Sequence, residues 1–112
     1  MKNSRIAVNA ANDGGGMGIT MYVLNVKYYV KPGMRQAFYD AIKAEGIGEA
    51  SRAEDGCILY DYAFDPEDPD LLRLFEVWES AEKQKIHTGT PHFSRLGELK
   101  AEYVKEVTLE QL

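Results

Sequence analysis

The chain has 112 residues, a length that suits one domain with a single hydrophobic core. Its 13 basic and 18 acidic residues give a formal charge of -5, which argues against a general nucleic-acid binder because such proteins carry a clustered basic face. No apolar run approaches the ~20 residues of a membrane-spanning helix, so we expect no membrane segment. The single cysteine, Cys57, excludes an intrachain disulfide and fits a cytoplasmic protein.

Residues 1–20 differ in composition from the rest of the chain. They lack the apolar core of a signal peptide, and the glycine-rich stretch at 12–16 has a linker composition. We therefore predict that residues 1–20 are an N-terminal extension or a cloning remnant, and that residues 21–112 form the domain. In an alternative interpretation, Arg5–Ala10 adds an edge strand to its own or a partner's sheet, because Ile6 and Val8 alternate with polar or small neighbours.

The first half of the domain is predicted to form a strand, a helix and a second strand. Met21–Lys31 is rich in β-branched and aromatic residues and alternates at period two. One face of this strand carries Tyr22, Leu24, Val26, Tyr28 and Val30. Residues 34–53 have helical spacing, interrupted by Gly46 and Gly48, each of which costs about 1 kcal/mol relative to alanine inside a helix. In the second strand, Cys57–Phe64, one face is predicted to carry Ile58, Tyr60, Tyr62 and Phe64.

The second half is predicted to add two more strands. The acidic, proline-containing loop at 65–70 joins the second strand to an antiparallel third strand, Leu71–Glu79. Tyr103–Leu109 alternates as the fourth strand, which gives the order β-α-β-β-α-β of a ferredoxin-like α+β sandwich. Helices on one face would leave apolar side chains bare on the other. We therefore expect a homodimer formed through a second copy of the sheet.

The helical part between the third and fourth strands is predicted to be broken. Ser80 is placed to cap a first helix that ends near His87, and Gly89 is a candidate left-handed stop. Thr90 is placed to cap a second helix, with Pro91 at its first position, where a missing N–H costs nothing.

Several motifs together carry a family resemblance. They are the Asp55-Gly56-Cys57 entry into the second strand, the Asp-Pro-Glu-Asp-Pro hairpin, the stretch Phe75–Ser80 and the segment His87-x-x-x-Pro91-His92-Phe93. This set resembles the antibiotic biosynthesis monooxygenase superfamily of dimeric α/β-barrel proteins, over roughly Met21 to Leu109. The resemblance implies a homodimer whose two sheets pack into a barrel, with a pocket between each sheet and its helices.

The resemblance also implies a range of functions. Members of the superfamily include cofactor-independent oxygenases of phenols, anthrones and quinols, quorum-signal isomerases and haem-degrading enzymes, so the fold does not settle the activity. We predict a cofactor-independent monooxygenase of a small quinol- or polyphenol-type aromatic that uses O2. The alternatives are an isomerase of a small carbonyl or phosphorylated metabolite and a non-catalytic, small-molecule-binding stress-response dimer.

Three residues are predicted to be catalytic. Trp78 matches the family's tryptophan at the end of the third strand and would donate its indole N–H to a substrate oxygen, unless it is a core residue. Asn25 matches an asparagine that some members aim at the substrate, unless it lies at the dimer interface. His87 is the candidate general base, because imidazole titrates near neutral pH; the alternative is a helix-terminal residue stabilised by the helix dipole.

Further side chains are predicted to bind substrate: Tyr60, Tyr62, Phe75, His92 and Phe93. For His92 the alternative is a surface residue of the first helical turn. The sequence predicts no metal site, because the two histidines are five residues apart across a helix break. It also predicts no haem and no other cofactor, because no ligand of the haem-degrading type follows Phe93 by one helical turn.

Overall fold

The computed structural model describes residues 21–112, and the predicted alternative strand at Arg5–Ala10 lies outside them. The described part contains four strands and four helices in one α+β arrangement. In chain order they are β1 (Tyr22–Val30), α1 (Arg35–Ala44), α2 (Ile47–Arg52), β2 (Cys57–Phe64), β3 (Leu71–Trp78), α3 (Ala81–His87), α4 (Pro91–Tyr103) and β4 (Val104–Gln111). None of these helices is long and apolar enough to span a membrane.

The four strands form one antiparallel sheet in the order β2-β3-β1-β4. This order and the element sequence confirm the predicted ferredoxin-like α+β fold. The register pairs Tyr22 with Trp78 and Asn25 with Phe75 on the central strands. Directly paired residues share a face of an antiparallel sheet, so the register assigns each side chain to one of two faces.

The helices cover one face of the sheet, and this helix face contains the hydrophobic core. On β1 the predicted shared face is confirmed, because Leu24, Val26, Tyr28 and Val30 are buried and the partly buried Tyr22 packs against the same core. Helices α1, α2 and α4 complete the core with Phe38, Ile42, Ile47, Leu96 and Leu99.

The opposite face, which we call the open face, is more mixed than the sequence suggested. The alternation of β1, β2 and β3 places Val23, Leu59, Phe75 and Val77 there. The same face carries polar and charged side chains, namely Asn25, Lys27, Asp61 and Arg73. Its apolar side chains are thus interspersed with groups that can pair or repel across an interface.

Several predicted boundaries are confirmed or shifted. The helix breaks as predicted at Gly46, which has a φ of 65° and separates α1 from α2. The predicted caps are formed, with Lys83 N–H donating to Ser80 Oγ and Phe93 N–H donating to Thr90 Oγ1, both at 3.2 Å. The left-handed conformation predicted for Gly89 is wrong, because α3 ends through Thr88 in a right-handed conformation.

Strands β2, β3 and β4 also differ from the prediction at their ends. Ile58 was assigned to the face of Tyr60, but the pairing shifts register between Cys57 and Leu59 and leaves Ile58 exposed. Such a bulge inserts one residue and breaks the simple alternation. Tyr103 closes α4 instead of opening β4, and β3 ends at Trp78.

Candidate active site

Two histidines and a glutamate converge where three chain segments meet on the helix face. Glu54 lies in the turn after α2, His87 is the last residue of α3, and His92 is in the first turn of α4. His87 Nδ1 is 2.5 Å and His92 Nε2 is 2.6 Å from the same atom, Glu54 Oε2. We call these three residues the Glu-His-His cluster.

The cluster is largely shielded from solvent, and the exposure of its side chains increases from His87 to His92. The His87 side chain is 2% exposed, the Glu54 side chain 12% and the His92 side chain 19%. A carboxylate oxygen that receives two N–H groups in such a site is a strong, charge-assisted acceptor. The geometry therefore connects a buried imidazole to a partly exposed one through a single oxygen atom.

The connection between α3 and α4 explains how the two histidines meet. Thr90 caps α4 and also donates its hydroxyl to the His87 carbonyl at 2.7 Å, which fixes the turn between the helices. The imidazole ring centroids of His87 and His92 lie 5.7 Å apart as a result. The expectation that the helix break would keep these histidines apart was therefore wrong, because the turn folds His92 back towards His87.

Aromatic rings surround His87. Its ring centroid lies 4.8 Å from that of Trp78, 5.1 Å from that of Phe93 and 5.5 Å from that of Tyr60. Trp78 comes from the end of β3, Tyr60 from β2 and Phe93 from α4, so three elements fix the ring orientation. The structure thus brings together five of the predicted site residues: Tyr60, Trp78, His87, His92 and Phe93.

A buried carboxylate accepts the indole N–H of Trp78. Trp78 Nε1 donates to Glu76 Oε1 at 2.9 Å, and Glu76 is 5% exposed. Burial raises the pKa of Glu76, whereas the hydrogen bond from Trp78 and the proximity of His87 lower it. Within the described chain, the N–H that we expected to reach a substrate is used to hold Glu76.

Tyr60 and Tyr62 contribute buried hydroxyls on the same face. Among the described residues, neither hydroxyl has a hydrogen-bond partner. Burial raises the pKa of both phenols, so both stay protonated and can only donate or accept a neutral hydrogen bond. Tyr62 also lines a cavity of about 60 Å³ between α1, α2 and β2 that does not include the Glu-His-His cluster.

Asn25 and Phe75 are not part of this arrangement. They pair with each other across β1 and β3 on the open face, so the sheet separates them from His87. For Asn25 this placement favours the alternative that it lies at an interface between two copies. Phe75 lies beside Asn25 on the open face and is 38% exposed.

Two acidic residues of the site were missed by sequence reasoning. Glu54 was assigned no role in the sequence analysis, because no local pattern distinguishes it from the neighbouring Asp55. Glu76 had a detectable signal, because strand alternation places it on the buried face between Leu74 and Trp78. A carboxylate at an inward strand position needs a partner, which here is the Trp78 indole.

Comparison with known proteins supports this architecture. The chain is 36% identical over 69 residues to the uncharacterized protein sll1783 of Synechocystis sp., which covers 62% of this chain and 44% of that protein. It is 32% identical over 73 residues to the YcnE protein of Bacillus subtilis, covering 65% of this chain and 75% of that one. This chain thus spans less than half of the first relative and three quarters of the second.

A solved structure and a family model agree with each other. The crystal structure of PA3566 from Pseudomonas aeruginosa superimposes with a TM-score of 0.75 at 29% identity, covering 83% of this chain and 92% of that one. The model of the family described as antibiotic biosynthesis monooxygenase matches residues 21–99, which contain every residue of the Glu-His-His cluster and its aromatic surroundings. The chain therefore belongs to the antibiotic biosynthesis monooxygenase family.

Proposed function

We propose that this protein is a cofactor-independent monooxygenase of a small quinol- or polyphenol-type aromatic. The observation that carries the proposal is the Glu-His-His cluster, whose buried histidine lies among Tyr60, Trp78 and Phe93. Membership of the monooxygenase family supports the reaction class, and the flat aromatic surroundings support the substrate class.

Deprotonation of the substrate is the step that these residues suit best. A phenolate can pass an electron to O2, whereas the neutral phenol does so far less readily, so the protein must accept a proton. Glu54 accepts the Nδ1–H of His87, which leaves His87 Nε2 as the basic nitrogen in the neutral ring. A carboxylate that fixes the tautomer of a neighbouring histidine is a recurrent arrangement for general bases.

Glu54 can carry this proton away from His87. Once His87 is doubly protonated, its Nδ1–H can pass to Glu54 Oε2, and the Glu54 carboxyl, whose side chain is 12% exposed, can release the proton to solvent. We assign His87 as the base, Glu54 as the residue that positions it and carries the proton towards solvent, and His92 as the residue that holds Glu54 in place. Trp78 and Glu76 act as a fixed wall, because the hydrogen bond between them leaves the indole little freedom.

Substrate access requires more space than the cavity described beside Tyr62 provides. The cavity beside Tyr62 holds about 60 Å³, while a site for a small aromatic ligand typically measures at least about 300 Å³. We propose that two copies associate through their open faces, where Asn25 and Phe75 lie, and that α3 and α4 move apart to admit the substrate.

A non-catalytic small-molecule-binding dimer is the second candidate function. Its support is the closed packing around the cluster, where Tyr60, Trp78 and His87 are all fully buried. The isomerase alternative for a phosphorylated substrate has less support, because the groups nearest His87 include two carboxylates, Glu54 and Glu76. We also propose a cytoplasmic location, in keeping with the single partly buried thiol of Cys57.

Oxygen uptake with a panel of reduced quinones and polyphenols, measured with a chelator present, tests the proposal. We expect uptake above the spontaneous rate in the wild type, and a loss of roughly 100-fold or more in His87→Ala, because general-base catalysis typically contributes 10²–10⁴-fold. Glu82→Gln is the control, since it removes an exposed acid of α3 outside the cluster. Background uptake across the panel with tight binding of one compound would favour the binding dimer.

A further inference from the structure

The Glu-His-His cluster has the composition of a metal site as well as that of a proton-transfer site. Imidazole nitrogens and carboxylate oxygens are the usual ligands of zinc and related first-row divalent ions. The three ligand atoms, one from each residue, lie within 4.8 Å of one another. The chain has two histidines in total, and both are in this cluster.

The three ligands come from separate, fixed segments. His87 is buried at the end of α3, and its carbonyl accepts a bond from the Thr90 hydroxyl. His92 lies in the capped first turn of α4. Glu54 follows α2, and its backbone N–H donates to the Ser51 carbonyl at 3.1 Å. A site whose ligands are held by the fold loses little conformational entropy when an ion binds.

The local charge also favours a cation. Two carboxylates lie at the site, because Glu54 contacts both histidines and Glu76 interacts electrostatically with His87 and Glu54. Lys100 is the basic group that acts on Glu76, and it is half-buried. A divalent ion at Glu54 would compensate the charge that burial makes costly.

We propose that Glu54, His87 and His92 bind one divalent transition-metal ion of the zinc type. Ligand bonds of about 2.0–2.1 Å in a tetrahedral site separate ligand atoms by roughly 3.3 Å. The nitrogen-to-oxygen distances, now 2.5 and 2.6 Å, would open by less than about 1 Å as the ion replaces the two N–H protons. Three protein ligands leave a fourth position for water.

The inference goes beyond the proposed oxygenase and does not depend on it. The ion would bind Nδ1 of His87, which now contacts Glu54, and so would block the proposed transfer of the proton from His87 to Glu54. If both proposals hold, zinc inhibits oxygen uptake and a chelator restores it.

Isothermal titration of chelator-treated full-length protein with zinc chloride tests the site directly. We expect one ion per chain in the wild type, and affinity at least about tenfold weaker in Glu54→Gln and in His92→Ala. Both variants spare the buried His87. Glu82→Gln and Cys57→Ser should bind like the wild type, the first because it lies outside the cluster and the second because Cys57 does not contribute a ligand.

Two results would overturn the inference. One is wild-type affinity no stronger than that of His92→Ala; the other is binding that is lost in Cys57→Ser but kept in Glu54→Gln. Proton NMR of the wild type adds a readout that needs no variant, because the spectrum contains ring signals from two histidines. The ring signals of both histidines must shift or broaden at one equivalent of zinc, and unchanged signals would contradict the proposed ligands.

Discussion

Neighbouring residues on β3 show how differently the two faces of the sheet are used. Glu76 is buried on the helix face at 5% exposure, whereas Phe75, one residue earlier, is 38% exposed on the open face. This is the reverse of the usual preference, in which the aromatic residue is buried and the carboxylate is exposed. The cost of burying the Glu76 carboxyl is offset by the hydrogen bond that it accepts from the Trp78 indole.

The comparison distinguishes a helix face that buries a carboxylate from an open face that exposes apolar side chains. On the helix face, two carboxylates are paired with N–H groups, namely Glu76 with Trp78 and Glu54 with two histidines. On the open face, apolar side chains such as Phe75 and Val77 alternate with polar ones across the strands. Adjacent apolar side chains on one sheet face, as Val23, Phe75 and Val77 are here, are typical of surfaces that bind a partner.

The largest expected effect is the loss of Trp78. Replacing this fully buried side chain by alanine removes its packing against Tyr60 and His87 and leaves Glu76 without its donor. We expect Trp78→Ala to lower the free energy of unfolding by about 3–5 kcal/mol, as for other buried aromatic residues. Chemical denaturation monitored by circular dichroism measures the change. A loss below about 1 kcal/mol would contradict the assignment of Trp78 to a closely packed core.

The next effect concerns Phe75 and the open face. If two copies associate there, Phe75→Asp places a carboxylate in the apolar part of the interface and should weaken the dimer by at least about tenfold. Sedimentation equilibrium of the wild type and the variant measures the dissociation constant. Asp61→Asn, on the neighbouring strand, is the matched control that removes a charge instead of adding one. A wild type that is monomeric at micromolar concentration would refute the association.

The features that the sequence predicted well are those controlled by local chemistry. The alternation of β1, the Ser80 and Thr90 caps and the break at Gly46 each depend on residues within one or two turns. The bulge at Ile58 was not predicted, because alternation alone does not reveal an inserted residue. The failure at Gly89 has a similar cause, since a helix can also end through a right-handed residue such as Thr88.

The candidate site was only half predictable for a different reason. His87 and its aromatic neighbours were named from motifs, but the contact of His92 with Glu54 spans 38 residues. That contact depends on the angle at which α4 leaves the turn after α3, and on where α2 ends. Such an angle follows from the packing of Leu96 and Leu99 into the core, which no local pattern specifies.

The smallest expected effect concerns Glu76 and the way in which the free energy of unfolding depends on pH. Burial, the largest influence, raises the folded-state pKa of this carboxyl above its usual value of 4.5, and the charge of Glu54 adds to the rise. The folded protein therefore binds this proton more tightly than the unfolded chain does. Its stabilising contribution is complete below about pH 4.5 and is lost as pH rises through the folded-state pKa.

The isosteric variant Glu76→Gln isolates this contribution, because its neutral amide can still accept the indole N–H of Trp78. We expect the wild type to lose stability relative to the variant as pH rises from 4.5, while other titrating groups cancel in the difference. Urea unfolding of both proteins between pH 4 and pH 8 measures it. A difference that is flat, or that rises with pH, would mean that the Trp78 hydrogen bond and the nearby His87 outweigh burial. The helix face would then stabilise a charged Glu76, in the way that it is inferred to stabilise Glu54.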